Sequence, residues 1–527
     1  MGSICQSHSC TYEYTTQLST SVYFLKPIID QQMEDEILEE SLSPTDFDKE
    51  FTTTKSMIPK SPDIMQKSPL NSPTPNDSVV ISKFHITSDD FVKFRYQNYA
   101  DSYQIERSLG SGSYGEVFIV RNKQTNQLRA MKQIKKQQSS LSKKCLKEME
   151  ILSKLDHPFI VKAIEVFQDE HSYNMIIELL QGTDLQEDIQ NNNKFTEEKA
   201  ANISYQLLLA LSYIHNQDVV HRDIKPENIL YQYNNGNTLI KLIDFGISTE
   251  IKRNRKLSSQ LGSMYFMAPE IFSKDYGKQI DIWACGVTLF YLVHKRYPFM
   301  GKTNQEMKNA IKSGKVQFDK SITPELQCLL IKMLQVNPNK RITAQQALQE
   351  DWFIKHKFVN QINQQLISKL LNYHSTTLFE ELIFSLITYY CQNCDDHGQA
   401  IQTFLYLDTD QDGQISKQEF KKQLYQFNIN NSSQQIDDLY TTLNKQSDDT
   451  LTYKEFLAAS VTRDKLQTKK CQKFCFQLID YDQDGRISES DFCHLMGKNQ
   501  SNIWHLINIS DSLYITEEEF YSMFKSC

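Results

Sequence analysis

"HRDIKPEN", residues 221–228, is the stretch on which the reading of this 527-residue chain turns. Within one short loop it places a carboxylate, Asp223, an ammonium, Lys225, and an amide, Asn228. Asp223 is suited to accept a proton from a hydroxyl, and Lys225 to stand beside a phosphoryl group in transit. Asn228 offers a side-chain oxygen to Mg²⁺, and Asp244 of "DFG" offers the same metal a full carboxylate. Phosphoryl transfer asks little covalent help of a protein. It asks for alignment and charge cancellation, and these residue types supply both.

Upstream, "GSGSYG" runs through Gly110, Ser111, Gly112, Ser113, Tyr114 and Gly115 and fits G-x-G-x-x-G. Taken alone that pattern also marks dinucleotide sites. Two residues further along the chain decide between them. Lys132 in "AMK" is placed to hold α- and β-phosphates, and Glu148 in "KEMEIL" is placed on a helix to hold Lys132 by an ion pair. "YQIERSLGSGSYGEVFIVRN" and "LRAMKQIK" alternate like strands, whereas "LKEMEILSKL" and "EEKAANISYQLLLALSYIHNQ" have helical spacing. A small sheet lobe followed by a larger helical lobe is expected.

Over residues 103–353 these motifs, with "MAPE" at 267–270 and "DIWACG" at 281–286, resemble the eukaryotic protein kinase family. The resemblance implies a bilobal α+β fold with ATP and Mg²⁺ in the cleft. It implies that Ile177 is the gatekeeper, that Glu178 and Leu180 form the adenine-binding hinge, and that Leu109, Val117, Ala130 and Asp184 complete the ATP pocket. It implies a Glu270–Arg341 pair, and it assigns Asp184 and Glu227 to reading basic residues upstream of a phosphoacceptor. "DIKPEN" looks like a Ser/Thr kinase rather than a tyrosine kinase. Ser263 stands where Thr is usual and keeps the hydroxyl. Arg222 could bind a phosphate on Ser258 or Ser259, although exposed serines in a basic loop read the same way. A pseudokinase is the alternative, and the joint presence of Lys132, Glu148, Asp223, Asn228 and Asp244 argues against it.

The last quarter carries a second chemistry. In "DTDQDGQISKQE", residues 408–419, Asp408, Asp410, Asp412, the backbone of Gln414, Ser416 and Glu419 occupy the ligand positions of an EF-hand loop, with Gly413 at the turn. A register at 480–491 places Asp480, Asp482, Asp484, the backbone of Arg486 and Asp491 likewise. Asp491 has a shorter arm than Glu, which weakens calcium or favours Mg²⁺. Registers at 444–455 and 508–519 are degenerate: Gln446 and Asp449 replace the acid and the glycine in one, and Leu513 replaces the glycine in the other. Ile415, Leu451, Ile487 and Ile515 share the eighth position, where paired loops meet through a short strand. Four hands in two pairs are expected, with metal in the first and third, doubtful in the second and absent from the fourth.

Between the two chemistries lie amphipathic stretches. Val359, Ile362, Leu366, Ile367, Leu370 and Leu371 repeat at helical spacing, as do Leu378, Phe379, Leu382, Ile383, Leu386, Ile387 and Tyr390. They read as core helices, or as a segment that changes partners. The expected division is an extension at 1–102, a kinase domain at 103–353, a helical junction at 354–397 and a calmodulin-like domain at 398–527.

The extension is polar and reads as largely unstructured, with Ser-Pro and Thr-Pro pairs open to phosphorylation or serving as spacer. Gly2 could be myristoylated and Cys5 palmitoylated, but Gln6 stands where Ser or Thr is usual; an unmodified tail is the alternative. The net charge of −8 is uneven: −6 over 1–100, +4 over 101–400 and −6 over 401–527. An acidic end suits cations, and no basic nucleic-acid surface is expected. Eleven scattered cysteines, including the lone pair Cys391 and Cys394, suit reduced thiols in a cytoplasmic chain. No apolar run is long enough to span a bilayer.

A kinase domain, a helical junction and four hands in this order resemble the calcium-dependent protein kinases. That resemblance implies a calcium-activated Ser/Thr kinase, monomeric and cytoplasmic, at a membrane surface if acylated. Its partners would be ATP, calcium and protein substrates with upstream basic residues, and the junction would hold it inactive until calcium binds. Rival functions are a kinase that needs separate calmodulin and a calcium-binding scaffold without catalysis.

Overall fold

The computed structural model describes residues 93–112, 115–136, 139–191, 195–234, 237–251, 257, 262–356, 364–371, 383–387, 390, 397–426, 433–444, 450–460, 468–496, 504 and 512–524. Six strands open the fold: β1 (Lys93–Arg95), β2 (Tyr103–Gly112), β3 (Gly115–Asn122), β4 (Leu128–Lys135), β5 (Ala163–Gln168) and β6 (Ser172–Ile177). They lie in the order β1-β5-β6-β4-β3-β2. All neighbours from β2 to β6 pair antiparallel; β2–β3, β3–β4 and β5–β6 are joined by short hairpin connections, whereas β4 and β6 come together across α1 and β5. Helix α1 (Ser139–Lys154) packs on this sheet and buries Met149, Ile151 and Leu152 with Val120, Met131, Val166 and Met175.

Strand β1 departs from the expectation of an unstructured extension. It pairs in parallel with β5, Arg95 opposite Phe167. Three residues are too few to show alternation in sequence. The strand is held by the free edge of β5 and by Arg95, whose Nε donates to Glu165 Oε2 at 2.7 Å across 70 residues of chain.

The helical lobe is built on α2 (Glu197–Asn216) and α3 (Gln279–His294). Thr196 caps α2 by accepting from the Lys199 amide, which satisfies an N–H that the first turn leaves unpaired. Helix α3 is apolar almost all round and is accordingly buried; its Trp283 stacks on Phe299. Between α2 and α3 in sequence, the hairpin Ile229–Asn234/Asn237–Leu242 follows the loop that carries Asp223.

Of the junction, α4 (Gln364–Leu371) is described, and it buries Leu366, Ile367 and Leu370. Ile383, Leu386, Ile387 and Tyr390 are also buried; Val359, Ile362, Leu378, Phe379, Leu382, Cys391 and Cys394 lie outside the described residues. The hands follow as α5 (His397–Leu407), α6 (Lys417–Gln426), α7 (Ser433–Leu443), α8 (Tyr453–Ser460), α9 (Lys469–Ile479), α10 (Glu489–Met496) and α11 (Glu517–Met523). Ile415 pairs with Leu451 and Ile487 with Ile515, so the loops meet two by two at the shared apolar position. All four side chains are buried.

Candidate active site and metal loops

The glycine loop is the β2–β3 hairpin itself. Gly110 lies opposite Val117, Ser111 opposite Glu116 and Gly112 opposite Gly115; Ser113 and Tyr114 lie outside the described residues. On the neighbouring strand, Lys132 faces Val117 and Ala130 faces Ile177. Leu109 and Ala130 are buried, and Ile177 and Leu180 are partly buried against the core. Leu109, Ala130, Lys132 and Ile177 thus lie on strands of one sheet, with Leu180 just past the end of β6. Glu178 is buried, and its Oε1 accepts from the Lys162 amide at 2.7 Å and pairs with Lys241 Nζ at 2.9 Å.

Three elements meet at Lys132. Its Nζ donates to Glu148 Oε1 and Oε2 from α1 at 3.0 and 2.8 Å, and to Asp244 Oδ1 at 3.1 Å. Although burial opposes it, the two carboxylates hold the Lys132 ammonium above its ordinary range, so it stays charged. Burial likewise opposes ionisation of Asp244, but Lys132 holds its carboxyl below the usual range. Asp244 sits at φ +61, a left-handed conformation uncommon for a side-chain-bearing residue.

Asp223, Lys225 and Asn228 close together on the loop after α2. Asp223 Oδ2 takes Lys225 Nζ at 2.7 Å and Asn228 Nδ2 at 2.9 Å. Asn228 Oδ1 is buried without a hydrogen-bond partner among the described residues. The Asn228 backbone carbonyl accepts the amide of Ile243, the residue before Asp244, at 2.9 Å, and the orphaned side-chain oxygen of Asn228 fits an oxygen-seeking divalent cation such as Mg²⁺. Lys225 Nζ also reaches Ser263 Oγ at 3.4 Å, so the serine in place of threonine keeps a hydroxyl at that lysine. Asp184 Oδ1 caps the Glu187 amide at 2.8 Å, and Glu227 Oε2 is buried without a partner among the described residues. Burial raises both carboxyls.

The loop is braced by a residue whose motif gave no hint of that role. Buried Asp281 accepts from the amides of His221 and Arg222, both at 2.9 Å, and from His215 Nε2 at 3.0 Å. Arg222 is thereby held at φ +71. A carboxylate just inside an apolar helix was the available signal. The Glu270–Arg341 pair also forms, at 2.5 and 3.0 Å, and both residues are buried.

In the first calcium-type loop, ligand oxygens of Asp408, Asp410 and Asp412 lie within 4.8 Å of one another. In the third, those of Asp480, Asp482 and Asp491 do so, and Asp480 Oδ1 is buried without a partner among the described residues. Asp484 Oδ1 accepts the Arg486 amide at 2.8 Å, as Asp412 Oδ1 accepts that of Gln414. Like carboxylates crowded this closely repel unless a cation joins them, which fits Ca²⁺. Glu419 accepts the amides of Thr409 and Asp410 at 2.8 and 2.9 Å. Asp491 accepts the matching amides of Tyr481 and Asp482 at 3.2 and 3.3 Å. The arm one methylene shorter reaches the same groups with longer bonds.

Every loop, degenerate or not, keeps one device. Ser416, Thr452, Ser488 and Thr516 each donate a backbone N–H to Glu419, Glu455, Asp491 and Glu519, at 2.9, 2.9, 2.8 and 2.8 Å. Each takes the return bond from that acid's amide on its own hydroxyl at 3.3 Å. This reciprocal cap starts the exiting helix. The sequence signal for it is [ST]-x-x-[DE], which spans the ninth and twelfth positions of each loop. Gln446, Asp449 and Asn508 lie outside the described residues, as do Gly2, Cys5, Ser258 and Ser259.

Comparison with known proteins agrees with this geometry. Residues 103–353 match the family model described as protein kinase domain. Residues 401–425 and 472–496 match that described as EF hand, and these are the two hands with the acidic loops. The chain is 31% identical over 444 residues to "Calcium-dependent protein kinase 5" of Plasmodium falciparum, covering 80% of this chain and 78% of that one. It is 32% identical over 409 residues to "Calcium-dependent protein kinase 3" of Plasmodium berghei, covering 76% and 73%.

Proposed function

The chain belongs to the calcium-dependent protein kinase family, and from that premise we propose that calcium held by its own hands switches its kinase activity through the helical junction. It is an ATP-dependent serine/threonine protein kinase that uses Mg²⁺ and is activated by calcium. Bound Mg²⁺ supplies charge neutralisation along the phosphates, and Asn228 and Asp244 would hold it. Lys132, fixed by Glu148, positions ATP. Asp223 accepts the proton of the substrate hydroxyl, and Lys225 stands by the transferred group. Glu227, half-buried with its Oε2 unpaired among the described residues, and Asp184 suit a basic side chain upstream of the phosphoacceptor. Gly2 and Cys5 remain candidates for acylation, which would bring a monomer to a membrane surface.

The observation that carries the switch is α4. Its apolar face, Leu366, Ile367 and Leu370, is buried, and the helix packs on α5 and α8 of the hands. The same face is therefore unavailable to the kinase lobes while the hands hold it. Calcium shifts the junction between these partners to the extent that the hands bind it more tightly when loaded. The test is phosphate transfer to a basic peptide with and without calcium, with no calmodulin added. Calcium-dependent transfer is expected. Transfer indifferent to calcium overturns the switch, and a need for added calmodulin assigns sensing elsewhere.

A further inference from the structure

We propose that β1 and the residues just after it form a docking surface for the third calcium loop, so that cation binding at residues 480–491 and ordering of the sheet lobe favour one another. The proposal rests on reading that loop as a calcium site. Strand β1 precedes residue 103, where the kinase-domain match begins, so it is an addition to that domain.

The contacts converge on two consecutive loop residues. The Arg95 guanidinium, paired with Glu165, stands 4.6 Å from the centroid of the Tyr481 ring. The Tyr481 hydroxyl donates to Gln97 Oε1 at 2.6 Å. From the turn between β3 and β4, Gln124 Nε2 donates to the Asp480 carbonyl at 2.6 Å. Glu165 also accepts from Tyr103 OH at 2.5 Å, which ties Arg95 to the first strand of the kinase domain. None of these contacts uses a ligand oxygen. The sheet lobe grips the loop by a backbone carbonyl and a non-ligand side chain, and leaves the carboxylates to the cage.

The docked loop already has the shape a cation needs. Gln483 and Gly485 lie at φ +62 and +81, and three carboxylates face one another. Docking and cation binding thus select the same loop conformation, and linkage makes each strengthen the other. The sign separates this from plain electrostatics. Arg95 is a cation beside an acidic loop, so charge alone would make its removal raise calcium affinity. Coupled docking makes its removal lower it.

The experiment uses the full chain carrying Glu419→Gln, which silences the first loop, so that calorimetry reads the third. Arg95→Ala is expected to weaken calcium binding there by about fivefold or more, the low end of ordinary coupling between sites. Gln97→Ala and Tyr481→Phe, which change no charge and no ligand, are expected to weaken it in the same direction. Calcium is expected to slow hydrogen exchange in β1 and β5 of the parent chain and to do so less in the variants. Affinity unchanged or raised in all three, with that protection intact, overturns the proposal alone. Absence of calcium binding at the third loop in the parent chain overturns the proposal and the reading beneath it together.

Discussion

Lys132 shows how much one side chain can carry. It joins β4, α1 and the "DFG" segment through three hydrogen bonds, and its charge is matched by two carboxylates. Lys132→Met is expected to lower kcat by about a hundredfold or more, as removal of one aligned charge-stabilising donor does elsewhere. Calcium affinity measured by calorimetry should be unchanged, because no calcium-loop residue is among these bonded partners. Asp281 makes a different point. Burial alone would raise its carboxyl; His215, His221 and the amides it accepts hold it below the ordinary value. A carboxyl depressed on folding adds stability that is complete above the unfolded value, near 4, and is lost as pH falls through the folded value. Asp281→Asn should therefore cost stability at neutral pH, and the gap between parent and variant in thermal melting should shrink below about pH 4. The acid motifs around Asp223 and Asp244 could be read from spacing. The bracing by Asp281 could not, since its three partners lie 59 to 66 residues away.

Among the elements, the calcium loops offer a matched pair. Gly413 and Gly485 hold the same loop position and nearly the same backbone, φ +85 and +81. Around Gly485 an added Cβ would meet nothing within 4 Å, whereas at Gly413 it would lie 2.5 Å from the Tyr213 ring of α2. Alanine at either site carries the left-handed penalty of about 1–2 kcal/mol. Only Gly413→Ala should also loosen the loop from the kinase, seen as faster hydrogen exchange in α2 on top of weaker calcium binding. Gly485→Ala should show weaker calcium binding without that change. The sequence identified both glycines for their turn. That one of them is also pressed against a tyrosine some 200 residues upstream results from packing that no local pattern records.

Across the full chain, the hands rest on both lobes. The first loop meets the helical lobe through Gln345 to the Asp410 carbonyl at 2.6 Å and Gln411 to the Tyr205 hydroxyl at 3.0 Å. The second hand meets the sheet lobe between α1 and β5, where the Lys454 amide donates to Asp156 Oδ2 at 2.8 Å. The third loop meets the sheet lobe at Arg95, Gln97 and Gln124. Asp156→Ala removes one of these contacts without touching a ligand oxygen or the phosphoryl-transfer residues. It is expected to raise the calcium needed for half-maximal activity severalfold and to leave kcat at saturating calcium near that of the parent. An unchanged calcium curve would show that this contact plays no part in the switch.

The order of motifs along the chain was enough to give the kinase fold and the two acidic loops, and to name the candidate residues for phosphoryl transfer that the structure brings together. Each depends on side-chain types at fixed local spacing, and spacing survives in a linear text. Three things came only with the folded chain: β1 as a sixth strand, α4 lying on the hands, and the metal loops set against the two lobes. These rest on contacts between residues tens to hundreds of positions apart, where a three-residue strand or an ordinary glutamine carries no signal until its partner is in place.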